Sequence, residues 1–206
     1  MGRNIGPSCK QCRREGERLF LKGERCNSQK CAIVRSNTKP GQHGAVQKKM
    51  SDFAVRLREK QKLRRIFGIS EGQLRNYFER ARKAQGVTGL MLLQMLERRF
   101  DNIVFRLGMA PSRKAARQLV KHNHFIVNGE RVNIPSYQVK PGDVVTIRER
   151  SLPDFEAALQ KAREINYPAW IAFNPDKKEG LVNALPSREE IDYPIAEQLI
   201  VEFYAR

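Results

Sequence analysis

The sequence predicts an α+β fold in three parts: a cysteine-bearing N-terminal segment, a helical domain, and a module of helices on a small antiparallel β-sheet. Three observations predict it. All four cysteines fall between Cys9 and Cys31. From Ser51 to Leu107 apolar residues recur at three- and four-residue steps, the spacing of one helix face. After His124 the pattern changes to short β-prone runs parted by Asn128-Gly129 and Lys140-Pro-Gly-Asp143, the turn chemistry of hairpins. Domain boundaries are expected at 1–50, 51–90 (completed by 185–206) and 91–184, with the module over about 97–160.

The four cysteines form two close pairs, Cys9-x2-Cys12 and Cys26-x4-Cys31, with 13 residues between. Short turns would bring each pair to one tetrahedral centre, and nearby cations (Arg13, Arg14, Arg25, Lys30) favour the thiolate. One structural zinc ion is expected on Cys9, Cys12, Cys26 and Cys31, and an iron–sulfur cluster satisfies the same spacing. Two disulfides are the competing reading; a reducing cytoplasm, expected because the N-terminus has no apolar signal core, disfavours them. Four thiolates leave a metal no open position, so its role would be to fold a segment with little core.

Residues 35–50 carry almost no apolar side chains and read as an extended loop. Ser51 starts a helix with Phe53, Ala54, Leu57, Leu63, Ile66 and Phe67 on one face. Arg56, Arg58, Lys60, Lys62, Arg64 and Arg65 crowd the rest of that helix, against Glu59 alone. Ser70-x-x-Gln73 is a capping box for a second helix that buries Leu74, Tyr77, Phe78 and Ala81, with Gly86 as its stop. Leu93, Leu96, Phe100, Ile103, Val104 and Leu107 then predict one continuous helix, ended by Gly108.

Pro111-Ser112 opens a short helix with Ser112 as N-cap. Its apolar face is Ala116, Leu119 and Val120; Arg113, Arg117 and Lys121 form an i, i+4, i+8 stripe beside Lys114. No acid lies between Ala110 and Gly129, so this stripe reads as a phosphate-facing surface. Strands follow around Asn128-Gly129 and at Val144–Ile147, then a helix over Asp154–Arg163 behind Pro153. Pro168–Phe173 reads as a strand with Trp170 in the core, and Asp176–Gly180 as a turn. Ser187-x-x-Glu190 reads as another capping box, and the chain ends in a helix carrying Ile195, Leu199, Ile200 and Phe203, with a strand over Leu199–Tyr204 as the alternative.

The charge says what such a surface is for. The chain holds 39 Lys and Arg against 22 Asp and Glu, a formal net charge of +17. Residues 1–150 carry +21 of it and residues 151–206 carry −4. The partner of the first three-quarters is a polyanion, nucleic acid before membrane, and the acidic tail faces something else, such as a basic protein. No apolar run approaches the roughly 20 residues of a membrane span.

The stretch from Leu96 to Asp143 resembles the RNA-binding module named after protein S four of the small ribosomal subunit. Leu96 to Asn102, Arg106-Leu-Gly108, Ser112-Arg113, Ala116 to Val120, Val127-Asn-Gly129, Pro135-Ser136 and Gly142-Asp143 carry the resemblance, in order and spacing. It extends to Cys9, Pro40-Gly41, Phe53, Leu57, Lys60 to Lys62, Gly68, Tyr77, Ile200 to Tyr204 and Arg206. Over essentially its whole length the chain therefore resembles the bacterial S four family, in its four-cysteine, zinc-carrying type. The resemblance implies a primary binder of 16S rRNA at a helix junction of the 5′ domain that nucleates small-subunit assembly. It also implies contact with protein S five that bears on decoding accuracy, proximity to protein S three and to incoming mRNA, and, in some members, repression of the protein's own operon. The segment Pro40-Gly-Gln-His43-Gly44 matches one that lies on rRNA in that family.

The candidate rRNA contacts are thus Arg3, Arg13, Arg14, Lys39, His43, Lys48 and Lys49 in the N-terminal part. In the helical domain they are Arg56, Arg58, Lys60, Lys62, Arg64 and Arg65. In the module they are Arg113, Lys114, Arg117, Lys121, His122, Asn128 and Arg131. No homo-oligomer is expected, and the location implied is the cytoplasm, in the ribosome.

An enzyme is the competing class. The sequence has no Gly-rich phosphate loop and no Gly-x-Ser-x-Gly elbow, and its three histidines include His122 and His124 with no evident carboxylate partner. Asp101 could be offered as a pseudouridine-synthase acid, but the chain has no room for a catalytic domain around it. A free RNA-binding factor is the remaining alternative.

Overall fold

The computed structural model describes residues 6–36, 38–46 and 49–205. The chain divides into two compact units, Met1–Leu92 with Tyr193–Arg206, and Leu93–Asp192.

The first unit is helical: α1 (Ser8–Glu15), a 3-10 turn (Gly23–Cys26), α2 (Ala32–Arg35), α3 (Asp52–Phe67) and α4 (Glu71–Lys83), with the start of α5 (Thr88–Glu97). Cys9 and Cys12 therefore lie on a helix rather than in a tight turn. Ser51 caps α3 by accepting the Ala54 N–H (3.3 Å), and Ser70 caps α4 by accepting the Gln73 N–H (3.3 Å). Leu74, Tyr77, Phe78 and Ala81 form the buried face of α4. The C-terminal segment adds a helix over Glu197–Tyr204, not a strand. Aromatic contacts bind it in: Phe53–Phe203 at 5.7 Å and Phe78–Tyr204 stacked at 4.7 Å. Leu63, Leu74, Ala81 and Ile200 are fully buried here, each large aliphatic among them contributing about 1.5–3 kcal/mol.

The second unit holds α6 (Phe100–Arg106), α7 (Arg113–Lys121), β1 (Phe125–Val127), β2 (Glu130–Arg131), β3 (Val144–Ile147), α8 (Leu152–Arg163), β4 (Ile171–Asn174) and β5 (Glu179–Val182). The terminal helix Glu197–Tyr204 is α9. The strands form one antiparallel sheet in the order β2-β1-β3-β5-β4. Phe125, Val127, Val145 and Ile147 alternate inward, and Phe100, Ile103, Val104, Phe155 and Trp170 close the core. Asn128 (φ 49°) and Gly129 (φ 83°) make the hairpin turn. Gly180 is needed for packing: a Cβ there would lie 2.3 Å from Leu107 Cδ1.

Two further sequence expectations change. The helix expected from Leu93 to Leu107 is two helices. Arg99 between them is extended (φ −62°, ψ 136°) and pairs with Gln138. The apolar pattern survives the break because Leu96 and Phe100 are both fully buried. The Ser187-x-x-Glu190 box caps no helix. Glu190 does accept the Ser187 N–H (2.7 Å), but only a turn follows. Tyr193 precedes Pro194, which disfavours helical backbone just where a helix would need to continue.

Candidate RNA-binding surface

The module's cations rest on a buried polar network. Asp101 (4 % exposed) takes two hydrogen bonds from the Arg99 guanidinium, at 3.0 and 2.7 Å. Glu97, fully buried, accepts from Asn102 Nδ2 (2.8 Å) and from Arg106 (3.1 and 3.2 Å). Asn102 Oδ1 in turn accepts from Arg113 Nε (2.8 Å), and the Arg113 guanidinium stacks on Phe105 at 4.3 Å. Arg117 is buried, with Nη1 at 3.7 Å from Asp101. Two members of the expected phosphate stripe, Arg113 and Arg117, thus anchor α7 from within. Asp101 is held by Arg99, which is no setting for a catalytic acid.

α7 starts at the predicted cap: Ser112 accepts the Ala115 N–H (3.3 Å). Lys114 is half-buried, while Lys121 and His122 are exposed at its C-terminal end, where the helix dipole favours cations. Asn128 is exposed, but its side chain is tied to the turn that follows. Its Nδ2 donates to Asp143 (2.8 Å), its Oδ1 accepts the Val144 N–H (2.8 Å), and Asp143 also accepts the Lys140 N–H (2.7 Å). Arg131 is exposed on β2.

Sequence reasoning named Lys121, His122 and Arg131 at one corner of this module but passed over Arg148 and Arg150. Asn123 (φ 61°) turns the chain after α7 and sets the His122 and His124 rings 6.2 Å apart. Arg148 reaches the same turn, with Nη1 donating to the Asn123 carbonyl (3.2 Å), and Arg150 follows it. Burial, first, and then His122 hold the His124 imidazole below its ordinary value, with Arg150 and Arg148 adding to the effect and Asp154 opposing it. Asp154 is therefore the carboxylate that the sequence did not reveal. Among the described residues no ion pair joins Lys121, Arg131, Arg148 or Arg150 to an acid. The missed signal was the run Arg148-Glu-Arg150 at the end of a strand, beside two histidines.

The cations of α3 have a different setting. Arg56 pairs with Glu202 (2.7 Å), Lys60 with Glu71 (2.6 Å), and Lys62 with Glu59 (3.0 Å) and Glu17 (3.3 Å). Arg64 lies 3.6 Å from Glu71, and Arg58 and Arg65 share Glu15. Lys60 and Lys62 are themselves buried. Burial alone would raise the Glu71 carboxyl; hydrogen bonds from Lys60 and Tyr204, helped by the Lys60 and Arg64 charges, hold it below its ordinary value.

In the N-terminal part Arg13 lines a cleft with Arg25, Lys30 and Arg35. Arg14, Lys39, His43 and Lys49 line a second groove, which also holds Glu15, Glu17 and Glu59. Gly44 makes the loop's close approach, where a Cβ would lie 1.8 Å from the Lys39 carbonyl oxygen. Arg3 and Lys48 lie outside the described residues.

All four cysteines line one cavity of about 20 Å³. Burial pushes the Cys12 thiol up, with Cys26, Cys9 and Cys31 close enough to add to the effect, and the Lys22 N–H donates to Cys26 Sγ (3.3 Å). The donor set matches a four-thiolate site, and the sulfurs share a space. Even so, no group of three or more His, Cys, Asp or Glu side chains is arranged to hold a metal ion among the described residues.

A helix pair on a small antiparallel sheet, with Lys121, Arg131, Arg148 and Arg150 outside any ion pair among the described residues, is an arrangement suited to binding RNA. Comparison with known proteins agrees. Residues 3–97 match the ribosomal protein S4/S9 N-terminal domain, and residues 98–145 match the S4 domain. The chain is 53% identical over 208 residues to the small ribosomal subunit protein uS4 of Pelotomaculum thermopropionicum, covering 100% of both chains. The corresponding proteins of Acetivibrio thermocellus (54%) and Dictyoglomus thermophilum (53%) are also matched over their full length. The chain belongs to the small ribosomal subunit protein uS4 family. It is a structural, rRNA-binding constituent of the ribosome and not an enzyme. Among the described residues no helix is long and apolar enough to cross a membrane.

Proposed function

We propose that this protein is a primary binder of 16S rRNA that recognises a helix junction of the 5′ domain and nucleates small-subunit assembly in the cytoplasm. The observation that carries the reading is the set of acid-free cations on fixed elements: Lys121, Arg131, Arg148 and Arg150 around the end of α7. A junction presents phosphates at fixed spacing, so a rigid set of cations gains selectivity from position rather than base identity. Arginine adds a fork that matches phosphate oxygens. The acidic C-terminal quarter suits a protein neighbour; proteins S five and S three are the partners proposed, with consequences for decoding accuracy and for mRNA near where it enters. Repression of its own mRNA would reuse the same surface.

The test is a salt titration of binding to the isolated 5′ domain of 16S rRNA with tRNA as competitor. Tight binding that survives excess tRNA is expected. Equal affinity for tRNA at every salt concentration would leave only a generic polycation.

The four cysteines are proposed to hold one structural zinc ion, with an iron–sulfur cluster as the alternative. Metal analysis of the purified chain should find one zinc, and Cys12→Ser should lose both the metal and the thermal stability of the N-terminal segment. A metal-free chain with unchanged melting would overturn it.

A further inference from the structure

We propose that His122 and His124, with Arg131, Arg148 and Arg150, form a phosphate-binding corner at which RNA binding takes up a proton. This deepens the rRNA-binding reading and rests on it.

The corner is built by the fold. The left-handed turn at Asn123 brings the two imidazoles to 6.2 Å. His124 is fixed on two sides: Nδ1 shares a hydrogen bond with Ser151 Oγ (3.0 Å), and the ring lies 5.7 Å from that of Phe155. Its backbone carbonyl accepts the Arg148 N–H (2.9 Å), while the Arg148 side chain locks the Asn123 carbonyl (3.2 Å). Arg131 comes from β2, close enough to act electrostatically on Arg148, as does Arg150. Three segments thus bring cations and imidazoles to one place.

The charged groups acting on His124 are His122 from the end of α7, Arg148 and Arg150 from the segment after β3, and Asp154 from α8. Asp154 is the single acid among them. In the free protein partial burial, and after it His122 and the two arginines, hold the His124 imidazole below its ordinary value. A phosphate entering the corner reverses that balance, because an anion favours the imidazolium and cancels the repulsion from the arginines. Binding therefore raises the histidine pKa. By linkage, affinity rises as pH falls through the window between the free and bound values. The RNA phosphodiester does not titrate there, so the proton comes from solvent. Lys121 and Arg131 supply a further, salt-dependent part of the binding.

The experiment is calorimetry of the full chain binding the 5′ domain of 16S rRNA at neutral pH, in two buffers of different ionisation enthalpy, with affinity followed from about pH 8 to about pH 6. Net proton uptake is expected, with affinity rising about threefold to tenfold over that range. Gln replacing both residues (H122Q with H124Q) should flatten the profile and abolish the proton uptake; melting of the free variant checks its fold. H43Q, at the third histidine, should leave the profile intact. No proton uptake by the wild-type chain, or a profile abolished by H43Q alone, would overturn the assignment. Failure to bind the 5′ domain at any pH would instead overturn the underlying rRNA-binding reading.

Discussion

α3 and the corner after α7 both carry several cations, yet the cations sit in opposite settings. On α3 each of Arg56, Arg58, Lys60, Lys62, Arg64 and Arg65 has a carboxylate within 4.0 Å. Lys60 is 5 % exposed, and its ammonium also lies 4.3 Å from the centre of the Phe203 ring. Around the corner Lys121, Arg131, Arg148 and Arg150 have no such acid among the described residues. A phosphate gains little from a cation whose charge is already answered, since the existing pair must first be broken. Net charge points to a polyanion; on the proposed reading, ion pairing points to where it docks.

This contrast can be sharpened by removing an acid. Glu15 is 2 % exposed at its side chain and serves Arg58 and Arg65 together. Burial pushes its carboxyl up against the pull of Arg65 and Arg58, so the cluster is a weak source of net stability but costly to break. Glu15→Gln should destabilise the first unit by about 2–3 kcal/mol in denaturant unfolding. It should also steepen the salt dependence of rRNA binding, because two guanidiniums are set free. An unchanged slope would mean that Arg58 and Arg65 already lie on phosphate.

Much of this was legible in the sequence, for local reasons. Ser51, Ser70 and Ser112 announce helix starts because capping needs only a side chain and an N–H three residues on. Asn128-Gly129 announces a hairpin because few residues accept two positive φ values. What was not legible depends on distant residues. The acids that neutralise α3 include Glu15, Glu17, Glu71 and Glu202, so counting charges along the helix found Glu59 alone. The break at Arg99 is hidden because its causes, Gln138 and the bond to Asp101, leave the apolar phase intact. The inward bonds of Arg113 and Arg117 were hidden for the same reason, their partners being close in space and remote in sequence. The corner itself needs Asn123 to adopt a conformation that nothing in its neighbours demands.

The measurement that tests the central claim most directly is the salt dependence of 5′-domain binding for Arg148→Gln beside Lys60→Gln. Loss of one phosphate contact should lower the log–log slope by about 0.7 to 0.9. Arg148→Gln should show that loss, and Lys60→Gln should keep the wild-type slope while melting lower. A slope reduced by Lys60→Gln and untouched by Arg148→Gln would contradict the account.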